Sequence, residues 1–421
     1  MQLYYFLAII LSLSFGSLPQ SDHSLQHAVT FTLLIIAVWW GLCMLSVRMV
    51  GGLIQQGEVS VDVGYHWFDR QTEWLRWFSL ALIALCLGGF GLARNLDQIP
   101  VIRHSLFLQA LLLLAPAVAM MSGLWAAEYG LAAKLGWVPR GIAVAVGSIW
   151  TAFRGSAGWL LAPIVGVMMA IDLATAASLG TRLPEWAGWL VLAMVVIVGI
   201  PPLVRRVFPT AAMEPATQQW VESLVAAAGL PRCKIVLWDS SGRIHNALIA
   251  GLAGRFRILV LSDRLVADLT RPQLAMVILH EVAHARRFHI PLRILALVPA
   301  WLLGAGVERM IAQSTAAGWS AAGGSVASIL GTVLVLRWVS YRSEFDADAV
   351  ACRMAPRLAS QCVDVPETAT AAAEQLGQAL LRVTIDSDAA RKPTWLHPGI
   401  SDRIQAFSPG QETGESAISA G

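Results

Sequence analysis

The stretch that decides the fold is RPQLAMVILHEVAHARRFH, residues 271–289. Its apolar residues recur at helical spacing and Thr270-Arg271-Pro272 is typical of a helix start, so the stretch predicts a helix with one buried face. Within it, His280 and His284 are four residues apart and share a face, which lets both imidazoles reach one Zn²⁺ ion. Glu281 follows the first histidine directly, where a carboxylate can polarise a metal-bound water molecule. The pattern therefore predicts a zinc site on this helix.

Two histidines leave a catalytic zinc site one protein ligand short. A third histidine ten residues after the first, as in metzincins, is excluded because Ile290 stands there. The favoured ligand is Glu344, because Asp348 shares its helical face and can orient a ligand imidazole. Two alternatives stay open: residues 344–348 form an acidic helix face without a metal role, or the ligand is another glutamate, namely Glu308, Glu367 or Glu374.

The composition indicates a membrane protein. Hydrophobic residues make up 56% of the 421 residues and charged residues 14%, whereas soluble domains carry roughly 25% charged residues. Residues 1–204 hold 18 charged residues and residues 205–421 hold 39, so the first part is predicted to lie in the membrane and the second largely in water. A net charge of +3 without a basic block gives no support for nucleic-acid binding.

Apolar segments of about 20 residues, the length that spans a bilayer, divide the chain into three parts. Residues 1–204 are predicted to be a multi-span region of about six spans. Residues 205–408 are predicted to carry the zinc site and to be interrupted by a membrane hairpin at about 291–338, and residues 409–421 to be a disordered tail. The expected spans lie near 28–47, 77–93, 105–126, 157–181 and 186–204, with residues 141–153 interfacial or re-entrant and Leu3 to Leu18 favoured as a first span over a signal peptide.

The distribution of basic residues predicts the orientation. If six spans precede residue 205 and the remainder faces the cytoplasm, the cytoplasmic segments 48–76 and 127–156 and the Arg205-Arg206 exit hold eight Lys and Arg residues, and the outer loops hold three. Cytoplasmic loops carry the excess of Lys and Arg. We therefore expect a multi-pass protein of a cell inner membrane with residues 205 onward in the cytoplasm. Asp172 falls within an expected span, where a carboxylate is costly unless it faces a polar interior or a partner.

The part after residue 213 has an amphipathic, globular pattern. It predicts a surface helix over 214–229, strands over Lys234–Trp238 and Ile258–Leu261, and a long helix over Pro272–His289. Two apolar stretches follow, Ile294–Val307 and Trp319–Leu336, and they predict the membrane hairpin.

The sequence resembles the membrane zinc metallopeptidases that comprise the CAAX prenyl proteases and the HtpX-type heat-shock proteases. The resemblance extends over roughly residues 214–407. It rests on His280-Glu281-x-x-His284, the two apolar segments, Tyr341-Arg342-Ser343-Glu344-x-x-x-Asp348, and His397-Pro398 followed by Arg403-Ile404. It implies a mostly α fold: a polytopic helical membrane protein with a gluzincin-like α+β zinc protease domain interrupted by a helical membrane hairpin.

The resemblance implies a role for each matching residue of the zinc site. His280, His284 and Glu344 would bind one Zn²⁺ per chain. Glu281 would be the general base and proton shuttle, and Asp348 would orient a ligand histidine.

The resemblance extends to three residues outside this set. His397 and Arg403 would donate to the oxyanion of the tetrahedral intermediate; from the sequence alone the first is equally a turn residue and the second a helix-surface charge. Asn246, within His245-Asn246-Ala247, is similar to the family's edge-strand segment and would help to hold an extended substrate by strand addition.

The expected activity is that of an integral-membrane zinc metalloendopeptidase acting on protein or peptide substrates in or at the lipid bilayer. General proteolysis of membrane-associated or misfolded proteins is favoured over CAAX-type processing of lipidated C-terminal peptides, because nothing in the sequence points to a prenyl group. A non-enzymatic membrane scaffold or transporter with a structural metal site is the alternative from another class. Against it, structural zinc sites are usually closed by four protein ligands. The oligomeric state is left open.

Overall fold

The computed structural model describes residues 2–14, 21–180, 209–240, 242, 244–251, 254–315, 319–385 and 391–407. The chain divides into two compact units. The N-terminal unit comprises Met1–Val196 and Ala305–Val326, and the C-terminal unit comprises Ile197–Gly304 and Ala327–Gly421.

Helices make up the described part of the N-terminal unit before residue 181. Its three longest helices each begin after a serine, because the hydroxyls of Ser24, Ser60 and Ser105 accept hydrogen bonds from first-turn N–H groups that lack helical partners. Single π-helical turns follow α3 and α7, at Leu85–Gly89 and Arg154–Gly158. The helices are α1 Gln2–Leu13, α2 Leu25–Gln55, α3 Val61–Ala84, α4 Leu92–Asp97, α5 Pro100–Arg103, α6 Leu106–Lys134, α7 Ile142–Phe153 and α8 Trp159–Gly180.

Two tryptophans join α2 to α6. The indole N–H groups of Trp39 and Trp40 donate to the carbonyls of Met120 and Ala119, each at 2.9 Å, so neither polar group is left unpaired inside the apolar packing. Gly123 allows this close approach, because a Cβ there would lie 3.2 Å from the Trp40 ring.

Asp172 finds its polar partners within the N-terminal unit. Its carboxylate accepts a hydrogen bond from the Ser105 hydroxyl at 2.6 Å and from the backbone N–H groups of Leu106 and Phe107 at 2.9 Å. These groups lie at the start of α6, where N–H groups have no intrahelical acceptor. The carboxylate therefore caps α6, which explains how an acid is accommodated in an apolar segment.

Four helical segments in the described part of the chain are long and apolar enough to cross a membrane. They are Leu25–Gln55, Leu106–Lys134, His289–Ala312 and Ser320–Leu358. Ile142–Gly158 and Leu160–Ala176 would form a fifth span if taken together, although they are bent by 70°.

The remaining expected segments differ in how far the structure describes them. α1 is a shorter apolar helix, and the expected span at 77–93 is divided between the end of α3, the π-helical turn and Gly91, whose φ is +70°. The expected span at 186–204 and the expected tail at 409–421 lie outside the described residues. The count of about six spans and the domain boundaries stay predictions.

The C-terminal unit combines a small sheet with helices, and the predicted helix over 214–229 and both predicted strands are present in it. The strands are β1 Thr210–Ala211, β2 Lys234–Trp238, β3 Ala247–Ala250 and β4 Ile258–Ser262. The helices, some shared with the N-terminal unit, are α9 Pro215–Ala227, α10 Asp263–Asp268, α11 Arg271–Arg286, α12 His289–Leu295, α13 Leu297–Ala312, α14 Ser320–Leu358, α15 Ala369–Val383 and α16 Ile400–Phe407, with a 3₁₀ turn at Gly254–Phe256.

The strand order is β1-β2-β4-β3, with β2 and β4 parallel and the other two pairs antiparallel. β4 is buried along its whole length, whereas β3 lies at an edge of this sheet. β3 also contacts α11, so this edge strand packs against the helix that carries the two histidines.

α11 is the central helix of the C-terminal unit and packs against β3, α9 and α15. Of the residues that the helical spacing predicts on its apolar face, Leu274, Ile278 and Val282 are buried, and Val277 is half-buried against the same core. The helix ends at Arg286 instead of continuing to His289, because Phe288 adopts the left-handed backbone conformation with φ of 54°. The chain therefore turns sharply between α11 and α12.

Candidate metal centre

Local sequence fixes the start of α11. Thr270 and Gln273 form a reciprocal capping box, in which the Gln273 side chain accepts a hydrogen bond from the Thr270 N–H, and Pro272 occupies the first turn, where its missing N–H is no loss. From this start the helical repeat carries His280 and His284 to the same buried face.

Within the described part of the chain, one group of three side chains is arranged to hold a metal ion: His280, His284 and Glu344. The two Nε2 atoms lie 3.1 Å apart. Glu344, on α14, directs one carboxylate oxygen to each of them, at 3.6 Å from His280 and 3.4 Å from His284. All three side chains are buried. Two imidazoles and a carboxylate on converging atoms are the donor set that a catalytic zinc ion takes, so these residues fit the ion that the sequence predicts.

Asp348 lies one helical turn after Glu344 and contacts the other ring nitrogen of His280. Its Oδ1 is 2.8 Å from His280 Nδ1. Arg403 contacts the same carboxylate, since its Nε and a terminal nitrogen donate to Asp348 at 2.8 and 2.7 Å. A carboxylate behind a ligand histidine fixes the ring orientation and leaves Nε2 free for the metal.

The charges around the two histidines differ in their effect. Burial opposes protonation of His280, but the charge and hydrogen bond of Asp348, together with Glu344, raise its pKa to about 10. Burial lowers the pKa of His284 to about 4. Glu344 and Asp348 thus favour a positive charge at the position of His280, and the same carboxylates would attract a metal cation in place of that proton.

Glu281 is partly buried beside His280. Burial raises the pKa of its carboxyl to about 7, and the nearby Glu344 acts in the same direction. A carboxyl group with a pKa near neutrality can both accept and release a proton at physiological pH. This is the property that a general base and proton shuttle needs.

The structure brings His397 and Arg403 to the same centre. His397 is 44% exposed and its Nδ1 lies 3.4 Å from Glu344. Arg403 is buried, with one terminal nitrogen 3.5 Å from Glu344 and its other donors directed at Asp348. Arg403 is thus an internal charge held by two acids, whereas His397 presents an accessible imidazole at the rim.

Asn246 directly precedes the edge strand β3. Its backbone N–H donates to the Ser262 hydroxyl at 2.9 Å, and its carbonyl accepts from the Ser262 N–H at 3.0 Å. Bonded and non-bonded residues alternate along an antiparallel pair, so the N–H and C=O groups of Ala247 and Ile249 point to the open edge.

Three residues at the centre were not predicted from the sequence. Arg293, at the start of the hairpin, donates to Glu344 at 3.2 Å. His289 is buried and contacts His284, and Asp346 contacts His289. The i,i+4 spacing that relates Glu344 to Asp348 does not include Asp346, which is two residues after Glu344. Nothing local in the sequence indicates that Arg293 or His289 turns inward.

The comparisons with known proteins agree with this geometry. Residues 211–409 match the family model of Peptidase family M48, whose members are zinc metalloproteases. The crystal structure of Ste24p from S. mikatae is similar in fold, with a TM-score of 0.50 and 15% sequence identity over 91% of this chain and 98% of that chain. No curated protein sequence matches this chain.

The fold class expected from the sequence, a mostly α-helical polytopic membrane protein, is confirmed. The family match indicates a protease and the four apolar helices indicate an integral, multi-pass membrane protein. Residues 211–409 of this chain therefore match Peptidase family M48, and the expected relationship to the membrane zinc metallopeptidases is confirmed.

Proposed function

We propose that the chain is an integral-membrane zinc metalloendopeptidase that hydrolyses peptide bonds of membrane-associated or misfolded proteins near the cytoplasmic face. What carries this proposal is the convergence of His280, His284 and Glu344 on one point, with Glu281 beside them. Three protein ligands leave a coordination position open for chemistry, whereas a structural site is closed by a fourth. One Zn²⁺ per chain would be held by these three residues, where it would polarise a water molecule and the substrate carbonyl.

The side chains around the site have different roles in the proposed reaction. Glu281 takes the proton from the attacking water and passes it to the leaving amine, which its pKa near 7 permits in both directions. His397 donates to the oxyanion, since its imidazole is accessible. Arg403 acts through Asp348 as a positioning residue, because its donors already bond that carboxylate.

The edge of the sheet supplies the substrate-binding surface in this proposal. An extended peptide that pairs with β3 would bond to the outward N–H and C=O groups of Ala247 and Ile249, with Asn246 at the end of the strand. Because β3 contacts α11, a peptide on this edge would lie near the helix that carries the two histidines. Main-chain pairing reads no particular side chain, which suits a protease that degrades many unfolded substrates.

The test compares the full chain in detergent with its Glu281→Gln variant at equal bound zinc, using an unfolded membrane protein as substrate. The expected result is a loss of roughly 10²–10⁴-fold in kcat with zinc retained. Glu222→Gln, the same substitution on the surface helix α9, is the matched control and is expected to cleave normally. Equal cleavage by wild type and Glu281→Gln would refute the proposed base.

Two other outcomes identify the alternatives. Cleavage of a lipidated C-terminal peptide without cleavage of unfolded membrane proteins would indicate CAAX-type processing. Stoichiometric zinc with no cleavage of either substrate would favour a non-enzymatic metal site. A reporter fused after residue 206 tests the orientation, and an external signal would refute the cytoplasmic placement and, with it, the inner-membrane topology proposed from the basic residues.

A further inference from the structure

His284 has a partner on each of its ring nitrogens. Its Nε2 faces Glu344 at 3.4 Å, on the side of the proposed zinc ion. Its Nδ1 lies 2.8 Å from Nδ1 of His289, and Nε2 of His289 lies 3.1 Å from Asp346 Oδ2. The two imidazoles and the carboxylate thus form a continuous chain that leads away from the metal site.

The proton positions along this chain follow from the chemistry of the groups. A metal on Nε2 of His284 requires the proton of that ring to be on Nδ1, where it is donated to His289. Nδ1 of His289 must then be unprotonated, so its ring carries the proton on Nε2. The carboxylate of Asp346, which only accepts when ionised, stabilises that tautomer. Each link therefore has one arrangement compatible with a metal on His284.

The contact between His284 and His289 depends on the break in the helix at Phe288. On a continuous helix His289 would lie about 140° around the axis from His284, at 100° per residue. The left-handed backbone at Phe288 breaks the helix and returns His289 to the buried side, where 4% of the residue is exposed. Both ring nitrogens of His289 are thereby engaged, so it is not directed at the metal position itself.

Asp346 has a second partner on its outer side. The exposed side chain of Arg287 donates to it at 2.9 Å. Arg287 contacts the Asp346 carboxylate on its solvent side, and His289 contacts it on its interior side. Arg287 therefore shares Asp346 but stands outside the chain of rings that leads to His284.

We propose that His289 and Asp346 are positioning residues for the metal site, and that together they fix the tautomer and orientation of His284. This inference rests on the proposed zinc site. The two ligand histidines would then be oriented in different ways. Asp348 contacts His280 directly, whereas Asp346 acts on His284 through the imidazole of His289. Partners of this kind typically account for 10–100-fold in metal affinity.

The test measures zinc affinity of the full chain in detergent by competition with a chromophoric chelator. His289→Leu is expected to bind zinc roughly 10–100-fold more weakly than wild type, and Asp346→Ala to lose affinity in the same direction. His289→Asn keeps an acceptor near the position of Nδ1 and is expected to recover part of the loss. Arg287→Ala, which removes the other partner of Asp346, is the matched control and is expected to bind like wild type.

The controls separate positioning from folding and from the proposed function. Thermal unfolding of the metal-free proteins, and the absorption spectrum of Co²⁺ in the site, distinguish altered ligand geometry from a destabilised fold. Wild-type zinc affinity in both His289→Leu and Asp346→Ala would overturn the inference while leaving the zinc site intact; should His289→Leu fail to fold, Asp346→Ala decides alone. Absence of stoichiometric zinc in the wild type would overturn the proposed function and this inference together.

Discussion

Replacing Asp348 by leucine is expected to weaken both the fold and the metal site, and a second substitution separates the two effects. The Asp348 carboxylate is 1% exposed and accepts hydrogen bonds from two nitrogens of Arg403, at 2.8 and 2.7 Å. It also lies 2.8 Å from Nδ1 of His280. The substitution by leucine therefore removes a negative charge that contacts both Arg403 and His280.

The two losses have different sizes. Removing one partner of a buried ion pair leaves the Arg403 guanidinium buried without its hydrogen-bonded counter-charge, with only Glu344 near it at 3.5 Å, which costs about 3–5 kcal/mol of unfolding free energy. Removing the acceptor behind His280 is expected to lower zinc affinity roughly 10–100-fold, or about 1.4–2.7 kcal/mol of binding free energy.

The double variant Asp348→Leu/Arg403→Met removes both charges. We expect it to regain about 3 kcal/mol of stability, because no buried guanidinium remains without its hydrogen-bonded partner, while its zinc affinity stays low, because His280 still lacks its acceptor. The assays are thermal unfolding of the metal-free chain in detergent and zinc binding by chelator competition. Asp402→Leu, at an exposed acid on the same helix as Arg403, is the control and should change stability by about 0.5 kcal/mol or less.

Two results would refute this reasoning. If the single and double variants unfold at the same temperature, the buried charge of Arg403 is not what Asp348 balances. If the double variant binds zinc like wild type, the carboxylate does not orient His280.

Three further predictions concern the N-terminal unit, the edge strand β3 and Asp263 at the start of α10. Asp172→Ala removes one of the two caps of α6, leaving Ser105, and should lower the unfolding free energy of the chain by about 1–2 kcal/mol, with Asp172→Asn intermediate; equal thermal inactivation of all three proteins would contradict the capping role. Ala247→Pro removes an N–H from the open edge of β3 and should raise KM with unchanged unfolding, whereas Leu248→Pro breaks a bond to β4 and should destabilise the fold; an unchanged KM for Ala247→Pro would argue against strand addition. Partial burial opposes ionisation of Asp263, but hydrogen bonds from the preceding loop lower its pKa, so its stabilising effect is complete above the ordinary carboxyl pKa and is lost as the pH falls below it; Asp263→Asn should flatten the acid side of a plot of unfolding temperature against pH, and superimposable plots would contradict this.

Periodicity allowed much of the site to be predicted. The spacing of His280 and His284 places both on one face of any α-helix, and the same rule relates Glu344 to Asp348. The structure brings these four side chains together, as the sequence predicts. The strands β2 and β4 are equally local, because each is a short apolar run that contains β-branched residues, which favour extended backbone.

The supporting contacts were out of reach because they join residues distant in the sequence. Arg403 contacts Asp348 across more than fifty positions, and Arg293 contacts Glu344 from the other side of the hairpin. As an isolated residue Arg403 is indistinguishable from a surface charge on a short helix. Its burial is decided by the packing of α16 in the C-terminal unit.

The sequence by itself determined the membrane-bound class of the protein, the helix that presents two histidines and a glutamate, and the acid four residues after the third expected ligand, since hydropathy and helical repeat act over a few turns of chain. Only the tertiary structure decided that β3 is an edge strand beside α11 and that His289 turns back onto His284. The physical reason is that the first depends on which strand lies outermost in the sheet, and the second on a single backbone reversal at Phe288. Local propensity carries no information about either.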